Sequence, residues 1–377
     1  MPSLATPLRF ELTSAPLSAD EQRLLEPDLL GHRLDARYWA AMNGLLSTCS
    51  RSDTPVVLRA WRAGRLAGAA YLMECRRTSR CLFPGAIGRA LDLLPMPAYY
   101  WTRGDAAVDL LGSSGFVAGG EDRRRFYHDA IAFLNSRYLS GIVMDQQDVP
   151  AAADCYETPM MHWGRYAVTS GGTDTLFARH RNLRRKLSKY RNHGGVVDRV
   201  HGALAPEDLA RVLHCIQQSA DAAPLRAPFQ ENYLNMVRWA STTDTPGVVH
   251  FLARLDGTVV GYHSYLESGT QLLCLSGGFD RTRATNFHAY ETILIETMRY
   301  AEASGISQVS FGPVGNASKA ALMPQSAPFV ARFYSRHGWL RRAMSVLVPR
   351  SALRHARFAA AEQQHPGPDA SIPMPLT

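Results

Sequence analysis

A strongly basic stretch in the middle of the chain, RHRNLRRKLSKYRNHGG from Arg179 to Gly195, has the residue types to bind an anionic ligand. Seven of its first thirteen residues are Lys or Arg, whose side chains pair with phosphate and carboxylate groups. Apolar and ring side chains recur there at spacings of four and three, namely Leu176, His180, Leu183, Leu187 and Tyr190. This is the stripe of an amphipathic helix with one buried face, so the stretch is predicted to be an ordered basic helix packed on a core.

The two ends of this helix are also indicated. Thr173 and Asp174 are capping candidates at its start, and Gly194 and Gly195 stop it where a left-handed residue is usual. Two interpretations of its charged faces stay open. The cations either form a solvated surface that keeps the protein soluble, or they contact an anionic partner, without direct readout of nucleic-acid bases.

A second set of side chains could transfer protons. His263 lies in a predicted strand, and His288 and Tyr290 lie at the start of a predicted long helix. Imidazole and phenol groups serve as general acids and bases in enzymes. A histidine in a strand is nevertheless often only structural, and Tyr262 and Tyr265 beside His263 fit a polar pocket and ordinary sheet packing equally well.

Other catalytic schemes find no motif in the chain. It has no GxSxG elbow, no HExxH pair, no GxxxxGK[ST] phosphate loop and no GxGxxG after a strand. The six cysteines lack CxxC spacing, so neither a metal site nor a disulfide framework is predicted. His214 and Cys215 are neighbours on a predicted helix and do not form a dyad. Asp280 and Glu291 are the nearest carboxylates to the proton-transfer candidates, and each could simply cap a loop or a helix.

The composition of the whole chain sets limits on these sites. It has 377 residues, of which 46% are hydrophobic and 20% charged, and this indicates a globular protein of two domains. A net charge of +8 favours anionic partners. No apolar run is long enough to span a membrane, and the first residues, MPSLATPLRF, lack the pattern of a signal peptide. A cytoplasmic protein without a membrane partner is therefore expected.

Helices and strands alternate in two rounds along the chain. In the first round we predict a helix from Leu34, a hairpin that turns at Ala63-Gly64, an irregular stretch from Phe83 to Gly120, a helix from Glu121 and the strand GIVMDQ. In the second, the strand RYAVT leads into the basic helix and then into a helix at PEDLARVLHCIQQSAD. Three antiparallel strands follow (VVHFLARL, TVVGYHSYLE and QLLCLSGGFD), joined by turns at Asp256-Gly257 and Ser268-Gly269. After them come the long helix HAYETILIETMRYAEA, the strand SQVSFG and a short helix around NASKAALM.

The two rounds predict two domains and an extension. We expect an N-terminal domain at 1–154, a C-terminal domain at 155–349 and an extension at 350–377. The tail from about Glu362 is rich in Pro and polar residues, so it is expected to be disordered.

The order of elements and three local motifs resemble the GNAT acyltransferase superfamily. The motifs are RNLRRKL after a strand and a Leu-Phe pair, GGFD before a loop and a helix, and FGPVGNASK, in which a strand enters a Gly-rich turn with a Lys. From about Cys155 to Tyr334 the chain is similar to the BioF2-like or cellulose-biosynthesis-type acetyltransferases, which are themselves similar to the Fem aminoacyltransferases. The resemblance implies an α/β protein of two tandem GNAT-like domains, each a mostly antiparallel central sheet flanked by helices.

The resemblance also implies where an acyl donor binds. In the GNAT fold the strands splay below the central strand and expose backbone N–H groups to the donor carbonyl. The equivalent segment here is LSGGFD, where Gly277 and Gly278 would permit the distortion. The implied donor-binding residues lie on the basic helix, in this strand, in the loop after it and around the last strand: Arg181, Arg184, Arg185, Lys189, Gly277, Gly278, Phe279, Arg281, Arg283, Asn286, Gly312 and Gly315.

One departure from the superfamily concerns the loop DRTRATNFHA before the long helix. Members that bind acetyl-CoA have glycines there, and their backbone N–H groups wrap the diphosphate. This loop has no glycine, although Arg281 and Arg283 could meet a phosphate through their side chains. Acyl-CoA, an acyl-carrier protein and an aminoacyl-tRNA all stay open as the donor co-substrate, and no tightly bound cofactor is expected.

Lys319 is the strongest catalytic candidate that the resemblance implies. It follows the last core strand at the position where Fem-like proteins keep a Lys, and its charge could stabilise a phosphate or the developing oxyanion. Removing one such donor costs about 3 kcal/mol in the transition state. Gly312 and Gly315 would let the backbone bring Lys319 inward. The other catalytic candidates are His263, His288 and Tyr290.

The sequence thus predicts an acyltransferase. It would move an acyl or aminoacyl group from a thioester or ester donor to an amine or hydroxyl of a small biosynthetic acceptor by direct attack. Two alternatives stay open: an aminoacyl-tRNA-dependent transferase, and a catalytically inactive GNAT-like module that holds a carrier protein or RNA. No DNA partner is expected.

Overall fold

The computed structural model describes residues 6–26, 28–29, 32–33, 35–46, 53–75, 97–102, 116–118, 122–146, 151–222, 227–284, 287–313, 322 and 325–347. Contacts among these residues group them into two units. The first unit contains the described residues of Met1–Arg33, Cys49–Met160 and Pro328–Leu353, and the second contains those of Leu34–Thr48 and Met161–Ala327. The domain boundaries expected at 154 and 349 stay a prediction.

The first unit is a sheet of mostly antiparallel strands with helices. Its elements are β1 (Arg9–Thr13), α1 (Ala19–Leu24), β2 (Leu25–Glu26), β3 (Asp28–Leu29), β4 (His32–Arg33), β5 (Asp53–Arg62), β6 (Arg65–Cys75), β7 (Ala98–Thr102), β8 (Phe116–Ala118), α3 (Arg123–Arg137), β9 (Ser140–Gln146), β16 (Gln325–Tyr334) and α9 (Gly338–Leu347). The main strand order is β1-β5-β6-β7-β9-β16. The hairpin between β5 and β6 turns at Ala63 and Gly64, as predicted, and both residues have positive φ.

The second unit has the same kind of architecture. Its elements are α2 (Ala36–Leu46), β10 (Cys155–Ala167), α4 (Gly172–Arg179), α5 (Arg181–Asn192), β11 (Val196–His201), α6 (Pro206–Ala222), α7 (Ala227–Thr242), β12 (Val248–Leu255), β13 (Thr258–Ser268), β14 (Gln271–Phe279), α8 (Ala289–Ala303) and β15 (Gln308–Pro313). The strand order is β10-β15-β14-β13-β12-β11. The predicted three-stranded meander is therefore confirmed, and β11 adds a strand that the sequence did not indicate.

The two sheets repeat one pattern of strand directions. In the first, β5, β6 and β7 are antiparallel neighbours, β7 is parallel to β9, and β9 is antiparallel to β16. In the second, β12, β13 and β14 are antiparallel neighbours, β14 is parallel to β15, and β15 is antiparallel to β10. In each unit a helix comes directly before the second strand of the parallel pair: α3 precedes β9, and α8 precedes β15. This repeat confirms the predicted tandem arrangement of two mostly antiparallel sheets flanked by helices.

Each unit has its own hydrophobic core. In the first unit, rings on β7 and α3 pack together, with Trp101 and Phe126 fully or almost fully buried. In the second unit, one cluster combines α4, α5 and α8 with the sheet and includes Tyr190, Phe251 and Phe311. Burying each such side chain contributes about 1.5–3 kcal/mol relative to leaving it exposed, so these clusters keep the sheets in place.

The basic segment differs from its prediction, because it forms two helices rather than one. The chain leaves helical geometry at His180, whose φ and ψ are −118° and 76°. Thr173 does not cap the segment: it lies within α4 and donates from N–H and Oγ1 to the Glu302 carboxylate, both at 2.7 Å. Gly171, in the left-handed region, precedes α4 instead. A contact with a distant carboxylate has overridden the local capping signal.

The buried stripe of the basic segment is confirmed in its apolar members. Leu176, Leu183, Leu187 and Tyr190 are buried, whereas His180 at the helix junction is only half-buried. The Tyr190 hydroxyl donates to backbone carbonyl oxygens in the sheet. The stripe therefore docks both helices on the core of the second unit.

Several other predicted elements have different bounds in the structure. The stretch from Phe83 to Gly120 contains β7 and β8 among its described residues, and the strand predicted at Arg165 begins at Cys155. The short helix expected around NASKAALM lies outside the described residues except for Leu322, and so does the tail from Glu362.

Helix α2, near the N-terminus of the chain, packs in the second unit. Asp35, just before it, accepts hydrogen bonds from the Ser268 hydroxyl at 2.9 Å and the Gly269 N–H at 3.0 Å. Arg37 donates to Glu267 at 2.9 Å. Ion pairs and hydrogen bonds thus tie α2 to the turn between β13 and β14.

Candidate active site

Strands β14 and β15 separate part of the way along their length. Their parallel ladder joins Gln271–Leu273 to Gln308–Ser310, whereas β14 continues to Phe279 and β15 to Pro313. Just beyond the ladder, the register between β13 and β14 shifts, because Tyr265 pairs with Cys274 and Ser264 with Ser276. Leu275 is therefore an extra, bulged residue, and bulges bend a strand away from its neighbour. The described part of the chain thus has an opening between these strands where the splay was predicted.

The first unit has no such opening among its described residues. There the parallel ladder covers the whole of β7, from Ala98 to Thr102, against Ser140–Met144 of β9. The Tyr99 ring fills the space over Gly141, where a Cβ atom would lie 2.0 Å from Cζ of Tyr99. The separation of strands is therefore a feature of the second unit.

An aromatic cluster beside the opening contains three of the predicted site residues. His263 on β13 is only 2% exposed. Its ring centroid lies 5.8 Å from that of Phe279 on β14 and 5.9 Å from that of Tyr290 on α8. The rings of Phe279 and Tyr290 meet edge to face at 4.8 Å. The structure therefore brings together three residues that the sequence had placed on three separate elements.

Gly277 makes the position of His263 possible. The two residues face each other across β13 and β14. A Cβ atom on Gly277 would lie 2.6 Å from Nε2 of His263, which is closer than real contacts allow. The imidazole therefore reaches over the backbone of β14, on the strand that borders the opening.

Tyr265 holds the other side of the imidazole. Its hydroxyl lies 3.1 Å from Nδ1 of His263, and its ring is fully buried. Burial raises the pKa of Tyr265 well above its usual value, and the electrostatic interaction with Cys274 raises it further. The hydroxyl therefore keeps its proton and can donate a hydrogen bond to Nδ1. Neutral imidazole then has its proton on Nε2.

Tyr262 and Gly278 belong to the opposite face of the sheet. A Cβ atom on Gly278 would lie 3.1 Å from Cε1 of Tyr262 and 3.1 Å from backbone atoms of Cys215 and Ile216 on α6. The absence of a side chain at Gly278 therefore lets α6 pack closely against β14. Of the two interpretations left open for Tyr262, a polar pocket at His263 and ordinary sheet packing, the structure favours packing, since successive strand residues point to opposite faces.

The predicted anion-binding residues of the basic helix have different surroundings. Arg184, Arg185 and Lys189 are all exposed, and the Arg184 guanidinium lies over the Phe177 ring at 5.7 Å from its centroid. The side chain of Arg181 is outside the described part of the chain. Exposed cations are available to an external ligand, so the predicted role of Arg184, Arg185 and Lys189 stays open.

Two other cations of the same helix pair with α8. Lys186 Nζ lies 2.6 Å from Oε1 of Glu291, and Arg191 lies 3.1 Å from Oε1 of Glu296. Glu291 is buried, which alone would raise its pKa, but hydrogen bonds from His288 and Lys186 lower it to about 2. Part of the basic run therefore has a structural role. The side chain of His288 likewise interacts with the Glu291 carboxylate at the start of α8.

His288 has an unusual backbone for its residue type. Its φ of 60° places it in the left-handed region, just before α8. The carbonyl of His288 accepts from N–H and Oγ1 of Thr292, at 3.1 and 2.9 Å. These contacts hold the strained residue, and they place its ring near Glu291, with Nδ1 3.9 Å from Oε1.

The remaining predicted site residues are in the loop after β14 and around β15. Arg281 is half-buried and Arg283 is exposed. Gly312 is buried in β15 with a φ of 72°, a conformation that favours glycine. Lys319, Asn286 and Gly315 lie outside the described residues.

Neither a metal cluster nor a membrane span is found in the described parts of the chain. No group of three or more His, Cys, Asp or Glu residues there could hold a metal ion. Among these residues, no helix is long and apolar enough to cross a bilayer.

Sequence reasoning missed two partners that define the site. Tyr265 was noted only as a neighbour of His263, although the two-residue period of a strand places both on one face. Lys186 was not singled out within the basic run, and its pairing with Glu291, 105 positions away, has no local signal.

Comparisons with known proteins agree with this architecture. The family model described as an acetyltransferase (GNAT) domain matches residues 178–320. The crystal structure of FemX superposes with a TM-score of 0.51 at 11% identity, covering 88% of this chain and 99% of FemX. The structure of L-PGS from Bacillus licheniformis has a TM-score of 0.50 at 10% identity, covering 87% of this chain and 98% of that one.

At these identities the two solved structures are similar to the chain in fold, and no curated protein sequence matches it. The matched segment lies within the second unit, where β14 and β15 separate beside His263. Residues 178–320 of the chain therefore match the acetyltransferase (GNAT) domain family, and the fold around them agrees with that match.

Proposed function

We propose that the second unit transfers an acyl or aminoacyl group from a thioester or ester donor to an amine or hydroxyl of a small acceptor. The observation that supports this most directly is the separation of β14 from β15 after Leu273, within the GNAT domain and beside the imidazole of His263. In the first unit the corresponding strands, β7 and β9, stay paired along the whole of β7, and this proposal assigns no catalytic step to that unit.

The opening suits a donor carbonyl. Backbone N–H groups on a strand edge are hydrogen-bond donors, and such donors stabilise the oxyanion that forms when a nucleophile attacks a carbonyl. The edge of β14 beyond Leu273 is not covered by β15 in the described residues. The acyl group would lie in this opening, with its carbonyl oxygen directed at the β14 backbone.

Proton transfer is assigned to the imidazole of His263. The acceptor amine or hydroxyl attacks the carbonyl carbon, the new C–N or C–O bond forms, and the C–S or C–O bond to the donor breaks. With its proton on Nε2, the imidazole would donate that proton to the departing sulfur or oxygen, and Nε2 would then take up the proton that the acceptor loses. Two contacts support this assignment: the His263 ring lies over Gly277, on the strand that borders the opening, and Tyr290 contacts the ring from α8.

Three donor classes are compatible with this chemistry: acyl-CoA, an acyl-carrier protein and an aminoacyl-tRNA. The latter two are polyanionic macromolecules, and the exposed cations Arg185 and Lys189 on α5 could guide either one. The acceptor is proposed to be a small biosynthetic amine or alcohol.

The test is a donor panel assayed on the full chain. Purified protein is incubated with representatives of each donor class and a mixture of small amines and alcohols, and products are identified by mass. We expect one donor class to yield acylated acceptor, and His263→Ala to lower that turnover by about a hundredfold. Donor binding without transfer in the whole panel would contradict the proposal and favour an inactive binding module.

A further inference from the structure

The loop between β14 and α8 stands where a phosphate group could bind. Loop N–H groups and the first turn of a helix together form a common binding place for phosphates, because both present backbone hydrogen-bond donors and partial positive charge. The structure describes residues 280–284 of this loop and the chain again from Phe287. Whether such donors are available depends on where each N–H already points.

Three consecutive loop amides point inward at one residue. The N–H of Thr282 donates to the carboxylate Oδ1 of Asp280 at 3.1 Å. Arg283 donates to the Asp280 carbonyl oxygen at 3.2 Å and to Oδ1 at 3.3 Å. Ala284 donates to the same carbonyl at 2.7 Å. The oxygens of Asp280 thus occupy the donors that would otherwise face a ligand.

The other two described amides of the loop are used by neighbouring elements. Asp280 donates to the carbonyl of Val260 on β13 at 2.8 Å. Arg281 donates to Oε1 of Gln218, on α6, at 2.7 Å. All five N–H groups from 280 to 284 therefore have partners inside the protein.

The carboxylate at the centre of the loop is itself firmly held. Asp280 is 3% exposed, and it accepts from the Thr282 hydroxyl at 2.6 Å and from Arg211 at 3.0 Å. Burial alone would raise its pKa, but the hydrogen bonds from Thr282, Arg283 and Arg211 outweigh burial, so the pKa lies below its ordinary value. A permanent internal anion thus fills the concave side of the loop.

The start of α8 also has its own anion. Glu291 is in the first turn, where negative charge interacts favourably with the helix dipole, and it is buried against Lys186. A diphosphate placed at this end would meet two internal carboxylates, those of Asp280 and Glu291. Each carboxylate already pairs with a cation, Asp280 with Arg211 at 3.0 Å and Glu291 with Lys186 at 2.6 Å, so these two cations are engaged inside the protein rather than facing a ligand phosphate.

From this arrangement we infer that residues 280–284 are closed around Asp280 and bind no diphosphate, so that the acyl donor is recognised without a diphosphate anchored on these loop amides. This inference rests on the proposed function and narrows its substrate class. A CoA thioester would have to be held by its acyl and pantetheine parts alone, as a short pantetheine thioester would be. The Asp280 carboxylate accepts the hydrogen bonds that the Thr282 and Arg283 amides would otherwise offer to a phosphate.

Hydrogen exchange measured by mass spectrometry on the full chain tests the closure. The probes are CoA and pantetheine, each at millimolar concentration, and their affinities are measured in parallel by calorimetry. We expect exchange of the amides at 280–284 to change by less than about twofold with either probe. We also expect CoA to bind no more than about threefold more tightly than pantetheine, or neither to bind.

A pair of variants tests the role of Asp280 without any ligand. Asp280→Ala should speed exchange at 282–284 by about tenfold, because it removes the carboxylate that accepts from two of those amides. Asp174→Ala, at an exposed carboxylate in α4, is the matched control and should leave the loop unchanged. If Asp280→Ala does not fold, Thr282→Val removes only the hydroxyl that supports the carboxylate and should speed exchange to a smaller degree.

Two results would overturn the inference. One is slowed exchange at 280–284 on adding CoA, together with an affinity at least about tenfold above that of pantetheine. The other is parent-like exchange of the loop in both Asp280→Ala and Thr282→Val. These outcomes are distinct from failure of the proposed function. Transfer from acyl-CoA with a protected loop would overturn only the inference, and absence of transfer from every donor would overturn only the function.

Discussion

The imidazole of His263 occupies the space where a side chain on Gly277 would begin. Nε2 would lie 2.6 Å from a Cβ atom built on that glycine, although the two residues are on different strands. Because Gly277 has no side chain, the ring of His263 can lie over β14, the strand that separates from β15.

Gly277→Ala should therefore act through His263. The added methyl group must displace the ring, so we expect turnover to fall by at least about tenfold and unfolding free energy to fall by about 1–3 kcal/mol. In a His263→Ala background the same methyl group has room, and its cost in unfolding free energy should largely disappear. Denaturant unfolding of the parent, the two single variants and the double variant measures this coupling. Additive losses in unfolding free energy would contradict it.

Tyr265→Phe should impair turnover more than binding. The change removes the hydroxyl that lies 3.1 Å from Nδ1 of His263 and leaves the buried ring in place. If Tyr265 sets the tautomer of the imidazole, kcat should fall by about tenfold while KM stays within about threefold, and the pH profile of kcat should shift. Tyr262→Phe, on the opposite face of β13, is the control, and an equal loss there would point to packing alone.

The cations of α5 should separate into two functional groups. Changing Arg184, Arg185 and Lys189 together to Gln should weaken binding of the active donor by about tenfold at low salt, and the loss should shrink as salt screens the charges. Lys186→Gln should instead lower unfolding free energy by about 1–3 kcal/mol, because it leaves Glu291 buried without its cation. Equal donor affinity of the triple variant and the parent at low salt would leave the exposed face with a solvating role.

His250 should make the second unit sensitive to mild acid. It is fully buried, with Nε2 donating to the Ala240 carbonyl at 3.1 Å and Nδ1 accepting from the Ser264 hydroxyl at 2.7 Å. Burial lowers its pKa from 6.5 to about 4, so the unfolded chain takes up a proton at a higher pH than the folded chain does. Its stabilising contribution is therefore complete above pH 6.5 and is lost as pH falls from 6.5 to about 4.

The loss from His250 should amount to on the order of 3 kcal/mol in unfolding free energy across that window. Denaturant titrations between neutral pH and mild acid would measure it, and His250→Gln should remove this component of the slope. His128→Gln, at an exposed position on α3, should leave the slope unchanged. A parent slope retained in His250→Gln would assign the acid sensitivity to other groups.

Lys319→Ala remains a prediction from the resemblance, since Lys319 lies outside the described residues. If its charge stabilises an oxyanion present only in the transition state, turnover should fall by about a hundredfold while ground-state donor binding changes little. Turnover within about threefold of the parent would remove Lys319 from the site.

Local sequence patterns were sufficient for most elements of the second unit. The stripe of Leu183, Leu187 and Tyr190 predicted a buried helix face, and the turn at Asp256-Gly257 predicted the hairpin between β12 and β13, where both residues have positive φ. These features depend on residues within one or two turns of each other, so hydrophobic period and turn chemistry are visible in a linear sequence. The order of these elements also led to the superfamily whose domain model matches residues 178–320.

Tertiary contacts decided the features that make a site. The break at His180 accompanies hydrogen bonds between Thr173 and Glu302, and the position of α2 depends on Asp35 reaching Ser268. The bulge at Leu275, the end of the β14–β15 ladder and the fit of His263 over Gly277 depend on how strands align. Sequence spacing does not encode the register between strands, because register is set by the packing of whole sheet faces against helices. The opening between β14 and β15 could therefore be expected from a resemblance, but it could be located only in the folded chain.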